Sequence, residues 1–381
     1  VLPAILSAVI LTFSKAIGTF GTINYLGSPV QYYTLSSQLY MNINSRDTQT
    51  GFAMAILMII IASIAVFVNQ KLIGSRKSYA TIGGKGGRST LIGLGKVGRP
   101  VITAALFVFF AVGIIMPIVI LVMESFMLKE GIYSLDNFTL HYWIGESNPQ
   151  IMEGLPGIFK NDEFINSLFN SLRLTLVNGV FGTIFGQLLG YITAKGRGRL
   201  HGKLVEQLVF IPYLIPSVAF GGIYLSMFSQ PQQIFGVTLV PALYGTFALL
   251  TLVSVVKHLP FAARAGTSNM LQISGELEEA ATIEGAGFFR RFVKIVFPLS
   301  KGGFISGFML IFVSIMKELD LIILIMTPTT STLPYLAFRY QNGNSPQASD
   351  CVAIVMFSIV FLVYAIANLS GKADLAKSMA G

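Results

Sequence analysis

Long apolar runs alternate with short polar intervals along this chain, and eight of the runs approach or exceed the ~20 residues that a helix needs to cross a bilayer. They cover 3–26, 52–69, 101–127, 167–194, 204–228, 241–256, 302–326 and 352–368. The pattern predicts an all-α polytopic membrane protein of about eight transmembrane helices. Glycines and prolines inside several runs are compatible with this, because neighbouring helices satisfy the backbone groups that such residues free.

The polar interval from Ser274 to Pro298, SGELEEAATIEGAGFFRRFVKIVFP, has a helical period of its own. Ser274 is suited to cap a helix whose first turns hold Glu276, Glu278 and Glu279, carboxylates that favour the positive end of the helix dipole. Gly285-Ala286-Gly287 stops that helix. Beyond it, Phe288, Phe289, Phe292, Ile295 and Val296 recur on one face, with Arg290, Arg291 and Lys294 on the other. This second half reads as a basic amphipathic helix lying on a membrane surface or against a partner, with Pro298 as its end. A solvated loop is the plainer alternative.

Composition supports the membrane class: 53% of residues are apolar and only 11% charged, unlike an ordinary soluble domain. Most of the 26 Lys and Arg residues fall after the second, fourth, sixth and eighth runs, with Lys257 and Arg264 counted in the third such interval. The opposite side holds only Arg46, Lys129, Lys160 and Arg339. The positive-inside rule therefore predicts a cytoplasmic 274–298 loop and cytoplasmic termini. The net charge of +9 is a topology signal and implies no nucleic acid. One cysteine, Cys351, excludes an internal disulfide framework, and His141, His201 and His258 lack ligand spacing, so no metal site is expected. The basic, glycine-rich stretch 71–99 carries no GxxxxGK[ST] phosphate loop and reads as a flexible linker near acidic lipid headgroups. In the outer loop 128–166, Tyr142 and Trp143 are expected as interfacial anchors.

Three charges lie inside an apolar run: Lys317, Glu318 and Asp320. At bilayer depth such groups face a bundle interior or a wet cavity. On a continuous helix Lys317 and Asp320 share a face while Glu318 points elsewhere. A structural salt-bridge knot and a transport pathway both fit. Pro212 and Pro216 predict at least a kink, either lining a pathway or serving packing.

The loop resembles the cytoplasmic Glu-Ala-Ala signature of permeases of the ATP-binding-cassette (ABC) importer class. The residues that carry the resemblance are Glu279-Ala280-Ala281, Gly285-Ala286, Phe292, Ile295 and Phe297-Pro298, with Phe297 where leucine is usual. The Lys317-Glu318-Leu319 order resembles two-repeat permeases of the ferric-iron type, relatives of which serve thiamine, phosphonate or polyamine. The resemblance implies a type I ABC importer permease in a bacterial inner membrane. It implies cytoplasmic ATPase subunits holding ATP and Mg, an extracytoplasmic substrate-binding protein, and no cofactor on this chain. Glu279 would meet a groove on the ATPase, the alanines would permit close approach and Gly285 would make the turn.

An internal repeat fits the same family. With an offset of 299, Ser7, Leu11 and Phe13 meet Ser306, Leu310 and Phe312, and the place matching the charged trio reads Gly18-Thr19-Phe20-Gly21. This predicts the end of a first permease unit (1–70), a linker (71–99) and a complete second unit (100–381). Because Val1 opens inside an apolar run, a missing first-unit half or a second permease copy is expected to complete the assembly. An ion channel or a membrane-embedded enzyme is the competing class. A channel would call for a filter-like outer loop, and an enzyme for convergent catalytic groups at bilayer depth.

Overall fold

Each run becomes helix where its backbone closes its own hydrogen bonds, and the breaks at Pro216 and at Lys317 fall where proline or a charged turn interrupts that ladder. The computed structural model describes residues 9, 12–13, 15–74, 93–151, 154–343 and 345–369. Ser7, Leu11, Lys372, Lys377 and linker residues 75–92 lie outside the described residues. Residues 15–74 hold α1 (Gly21–Gly27), α2 (Leu35–Asn44) and α3 (Thr48–Gly74). Beyond residue 93 follow α4 (Gly95–Glu124), α5 (Asp162–Lys195), α6 (Leu200–Leu214), α7 (Ser217–Phe228), α8 (Phe247–Met270), α9 (Gly275–Ile283), α10 (Phe288–Leu299), α11 (Lys301–Met316), α12 (Leu333–Asn342) and α13 (Pro346–Leu369). A two-stranded ribbon, β1 (Gln232–Ile234) and β2 (Val237–Val240), follows α7.

Among the described residues five helices are long and apolar enough to span a membrane, and two bent pairs raise the number to seven. The run 3–26 lies partly outside the described residues, and its described end breaks at Thr19 and Phe20. Three runs differ from expectation. The run 204–228 is two helices, α6 and α7, bent by 98°. Pro216 cannot donate to the helical ladder, and the chain turns there. The run 241–256 becomes α8, which begins at Phe247 and continues to Met270. Lys257 and Arg264 are therefore residues of a helix, whereas charge counting placed them in a loop. The run 302–326 is helical only to Met316 and is a chain of turns from Lys317 onward.

Helix ends follow their caps. Asn161 accepts from the Glu163 amide at 2.9 Å to start α5, with Asp162 and Glu163 in its first turn and Lys195 in its last. Thr246 does the same for α8 through the Leu249 amide at 3.3 Å.

Helices α5, α8 and α11 form the centre. Backbones touch where α5 crosses α8: a Cβ on Gly190 would lie 2.5 Å from the Thr267 nitrogen, so only glycine fits. Elsewhere in the core that these helices share, Leu249, Val253, Ile311, Ile315 and Leu321 are almost fully buried. Away from this centre a second cluster joins Tyr142, Ile158, Phe164, Leu336 and Tyr340. Tyr142 is buried there, its hydroxyl donating to the Leu128 carbonyl at 3.1 Å, and Trp143 stacks on Phe126. These two rings pack into this second cluster, so the expected role of Tyr142 as an interfacial anchor gives way to a core role. No residue of α4 is buried by the chain, which fits a helix surrounded by lipid.

Candidate functional site

The structure builds two places where the predicted residues gather. In the first, Ser274 Oγ accepts from the Glu276 amide at 3.3 Å and starts α9. Gly285 takes the left-handed conformation, with φ of +77°. Its amide donates to the Thr282 carbonyl at 3.0 Å and that of Ala286 to Ala281 at 2.9 Å, the paired bonds of a Schellman turn. Glu279 and Ala280 are exposed, Ala281 is half-buried, and the neighbouring Ile283 is 86% exposed.

Glu278 does the opposite of its neighbour. It is buried, 2.6 Å from Lys195 Nζ and 2.6 Å from the Tyr191 hydroxyl, both at the end of α5. Tyr191 in turn meets the rings of Phe288 and Phe292 edge-on, each 5.7 Å away. Arg291, expected on the solvent face with Arg290 and Lys294, instead donates to Thr282 Oγ1 at 2.6 Å and to the Ala286 carbonyl at 3.3 Å. It staples the two halves of the loop together.

The amphipathic half departs from the ideal helix as well. A π turn over Phe292–Val296 rotates the register, leaving Phe289 80% exposed and Val296 buried while Ile295 is half-buried. Pro298 was expected to end the helix, yet it lies inside the last turn, Phe297–Leu299. The π turn just before it accommodates the missing proline donor. The chain bends by 76° one residue after Leu299.

The second place is a cavity of about 690 Å³ where the α6/α7 break, α8, the end of α11 and residues 15–22 converge. Lys257, 8% exposed, donates from Nζ to the carbonyls of Pro212 (2.9 Å) and Ile215. Those two oxygens flank the break, so a charge answers the backbone groups that Pro216 leaves unpaired. Pro216 thus borders the cavity wall, while Pro212 meets it only through the carbonyl that Lys257 holds.

Lys317 and Asp320 do not share a helix face, because α11 stops at Met316 and the trio lies on the following turns. Glu318 accepts from the Leu321 amide at 2.9 Å and stands 3.4 Å from His258 Nε2. The other ring nitrogen of His258 lies 2.9 Å from the Ser254 carbonyl. Asp320 accepts from the Gly21 amide at 2.9 Å, joining the turns after α11 to the start of α1. Lys317 is exposed and lines the cavity with Lys15.

Sequence reasoning missed Lys257, His258, Lys195 and the inward turn of Glu278. The first two follow an apolar run that seemed finished, although Phe261, Ala262 and Ala263 continue its helical stripe. Glu278 carries no such signal, since all three glutamates of the first turns look alike.

The fold and these two places define a polytopic α-helical permease of the type I importer architecture. Residues 182–373, half of the chain, match the family described as binding-protein-dependent transport system inner membrane component, and the chain belongs to that family. It is a transport subunit of the inner membrane and not an enzyme. It is 26% identical over 212 residues to the sulfate transport system permease protein CysT of Synechocystis sp., covering 53% of this chain and 71% of that one. It is 22% identical over 387 residues to the ferric transport system permease protein FbpB of Actinobacillus pleuropneumoniae. That match covers 99% of this chain, which spans about half, 52%, of the relative's length. A bacterial ABC transporter involved in the import of the acidic polysaccharide alginate shares the fold, with a TM-score of 0.56 at 16% identity over 71% of this chain and 94% of that one.

Proposed function

We propose that this permease passes its solute through the 690 Å³ cavity and receives its driving force at the Glu279-Ala280-Ala281 surface from a cytoplasmic ATPase holding ATP and Mg. The observation that carries this reading is the division of labour between adjacent glutamates: Glu278 is anchored to α5, while Glu279 stands free beside exposed Ile283. A push on the loop would reach α5, and α5 packs directly on α8, which bears Lys257 and His258 at the cavity. The exposed Glu279 is the group that meets the ATPase, Ala280 and Ala281 allow close approach, and Gly285, Ala286, Phe292, Ile295 and Pro298 shape the loop. A substrate-binding protein delivers the solute from the opposite side. The distribution of basic residues supports cytoplasmic termini.

The chain is read as the end of one permease unit (1–70), a linker (71–99) and a second unit (100–381). Supporting this, α2 and α12 are both ten-residue helices at matching places, and the Gly21–Asp320 bond joins residues 299 apart, the offset of the sequence repeat. Ferric iron is the proposed cargo, supported by the Lys317-Glu318-Leu319 order and by a ferric relative that aligns with almost all of the chain. Sulfate is the second reading, on the strength of CysT.

Glu279→Lys tests the docking role. The protein should insert and purify normally, with transport-linked ATPase activity in vesicles reduced at least tenfold. Full coupling in this variant would remove Glu279 from the contact.

A further inference from the structure

The charges around the cavity are not used equally. Both carboxylates already have partners: Glu318 faces His258 and the Leu321 amide, and Asp320 faces the Gly21 amide. Lys257 is committed to two backbone carbonyls. Lys15 and Lys317 are different. Each is exposed and lines the cavity, and among the described residues neither has a carboxylate within 4.0 Å. Lys15 Nζ stands 5.4 Å from the Tyr213 ring, a contact that leaves its hydrogen-bond donors available. With three lysines against two carboxylates, the wall is net positive even when His258 is neutral.

We infer that the cavity accepts its solute as an oxygen-bearing anion, with Lys15 and Lys317 as its binding groups. The two lysines come from the two units, one on the segment before α1 and the other just past α11, so a solute between them touches both sides of the junction whose movement opens and closes a pathway. Ser314 and Ser217 add hydroxyl donors to the same wall, suited to carboxylate, phosphate or sulfate oxygens. A bare trivalent cation would meet uncompensated ammonium groups in a confined, poorly screened space. Iron would therefore cross as an anionic complex with oxygen ligands. This rests on the pathway reading of the cavity.

The test measures the sign of the cavity's potential without presupposing the solute. Ser314→Cys, in the full chain with buried Cys351 replaced by alanine, is treated in vesicles with an anionic and a cationic methanethiosulfonate of similar size. Each rate is divided by that for a small free thiol. The anionic reagent should react at least about tenfold faster, and Lys15→Met and Lys317→Met should each cut that preference severalfold. Equal rates, or a faster cationic reagent, overturn the inference and leave the pathway intact. A preference that survives both lysine substitutions overturns the assignment to these residues. No reaction with either reagent, with or without ATP, overturns the pathway reading and the inference with it. Sulfate and ferric citrate, each compared with chloride at equal ionic strength, then separate a free oxyanion from a chelated metal by which one slows the anionic reagent. Slowing by neither overturns binding at the two lysines.

Discussion

Lys257 shows how much one side chain can hold in a membrane protein. A charge at bilayer depth costs about 2.5–3.5 kcal/mol even on insertion scales, and here that cost is offset by two carbonyls that the α6/α7 break would leave unsatisfied. Lys257→Met keeps the bulk and strands both oxygens, each worth about 1–3 kcal/mol when buried without a donor. The purified variant should unfold at a clearly lower temperature, and Lys257→Arg should recover part of the loss. Glu278 is the corresponding residue on the loop side. Glu278→Ala removes the contacts to Lys195 and Tyr191, and hydrogen exchange across α9 should accelerate by at least tenfold while the spanning helices keep their protection. Glu278→Gln, which can still accept from Tyr191, should fall between. If exchange in α9 is unchanged, the glutamate does not anchor the loop.

At the scale of elements, breaks matter more than spans. The α9–α10 loop changes direction through Gly285, whose φ of +77° costs a residue with a Cβ about 1–2 kcal/mol and a β-branched residue more. Gly287 has an ordinary φ of −66° and nothing within 4 Å of an added Cβ. Gly285→Val should therefore uncouple ATP hydrolysis from transport far more than Gly287→Ala, measured as solute moved per ATP in vesicles. Equal losses would reduce Gly285 to a spacer. The stop at Gly285 was legible beforehand, because glycine enters the left-handed conformation that ends a helix without the steric cost a Cβ brings. The 98° turn at Pro216 was legible only as a kink. Proline specifies that the ladder is interrupted, and the angle is set by what packs into the gap, here Lys257 and the turns after α11.

Across the whole molecule, the Gly21–Asp320 bond ties the start of α1 to the turns after α11 beside the cavity. A Cβ on Gly21 would stand 3.6 Å from Asp320 Oδ1, so side chains at the two positions face each other. Gly21→Cys with Asp320→Cys, on the Cys351→Ala background, should form a disulfide that stops transport, with recovery on reduction. Transport that continues with the bond formed would mean that this junction does not move.

The amino-acid order by itself determined the membrane class, the placing of several spans, the 274–298 loop with its turn, and the presence of costly charges at residues 317–320. These are local or compositional properties: apolar length, period and caps act through neighbours a few residues apart. Only the tertiary structure decided that Lys317 and Asp320 leave the helix, that Glu318 finds His258, that Lys257 turns from a loop charge into a clamp, and that Glu278 and Glu279 face opposite ways. Each depends on partners from tens to hundreds of residues away, and a buried charge goes wherever the fold provides its counterpart.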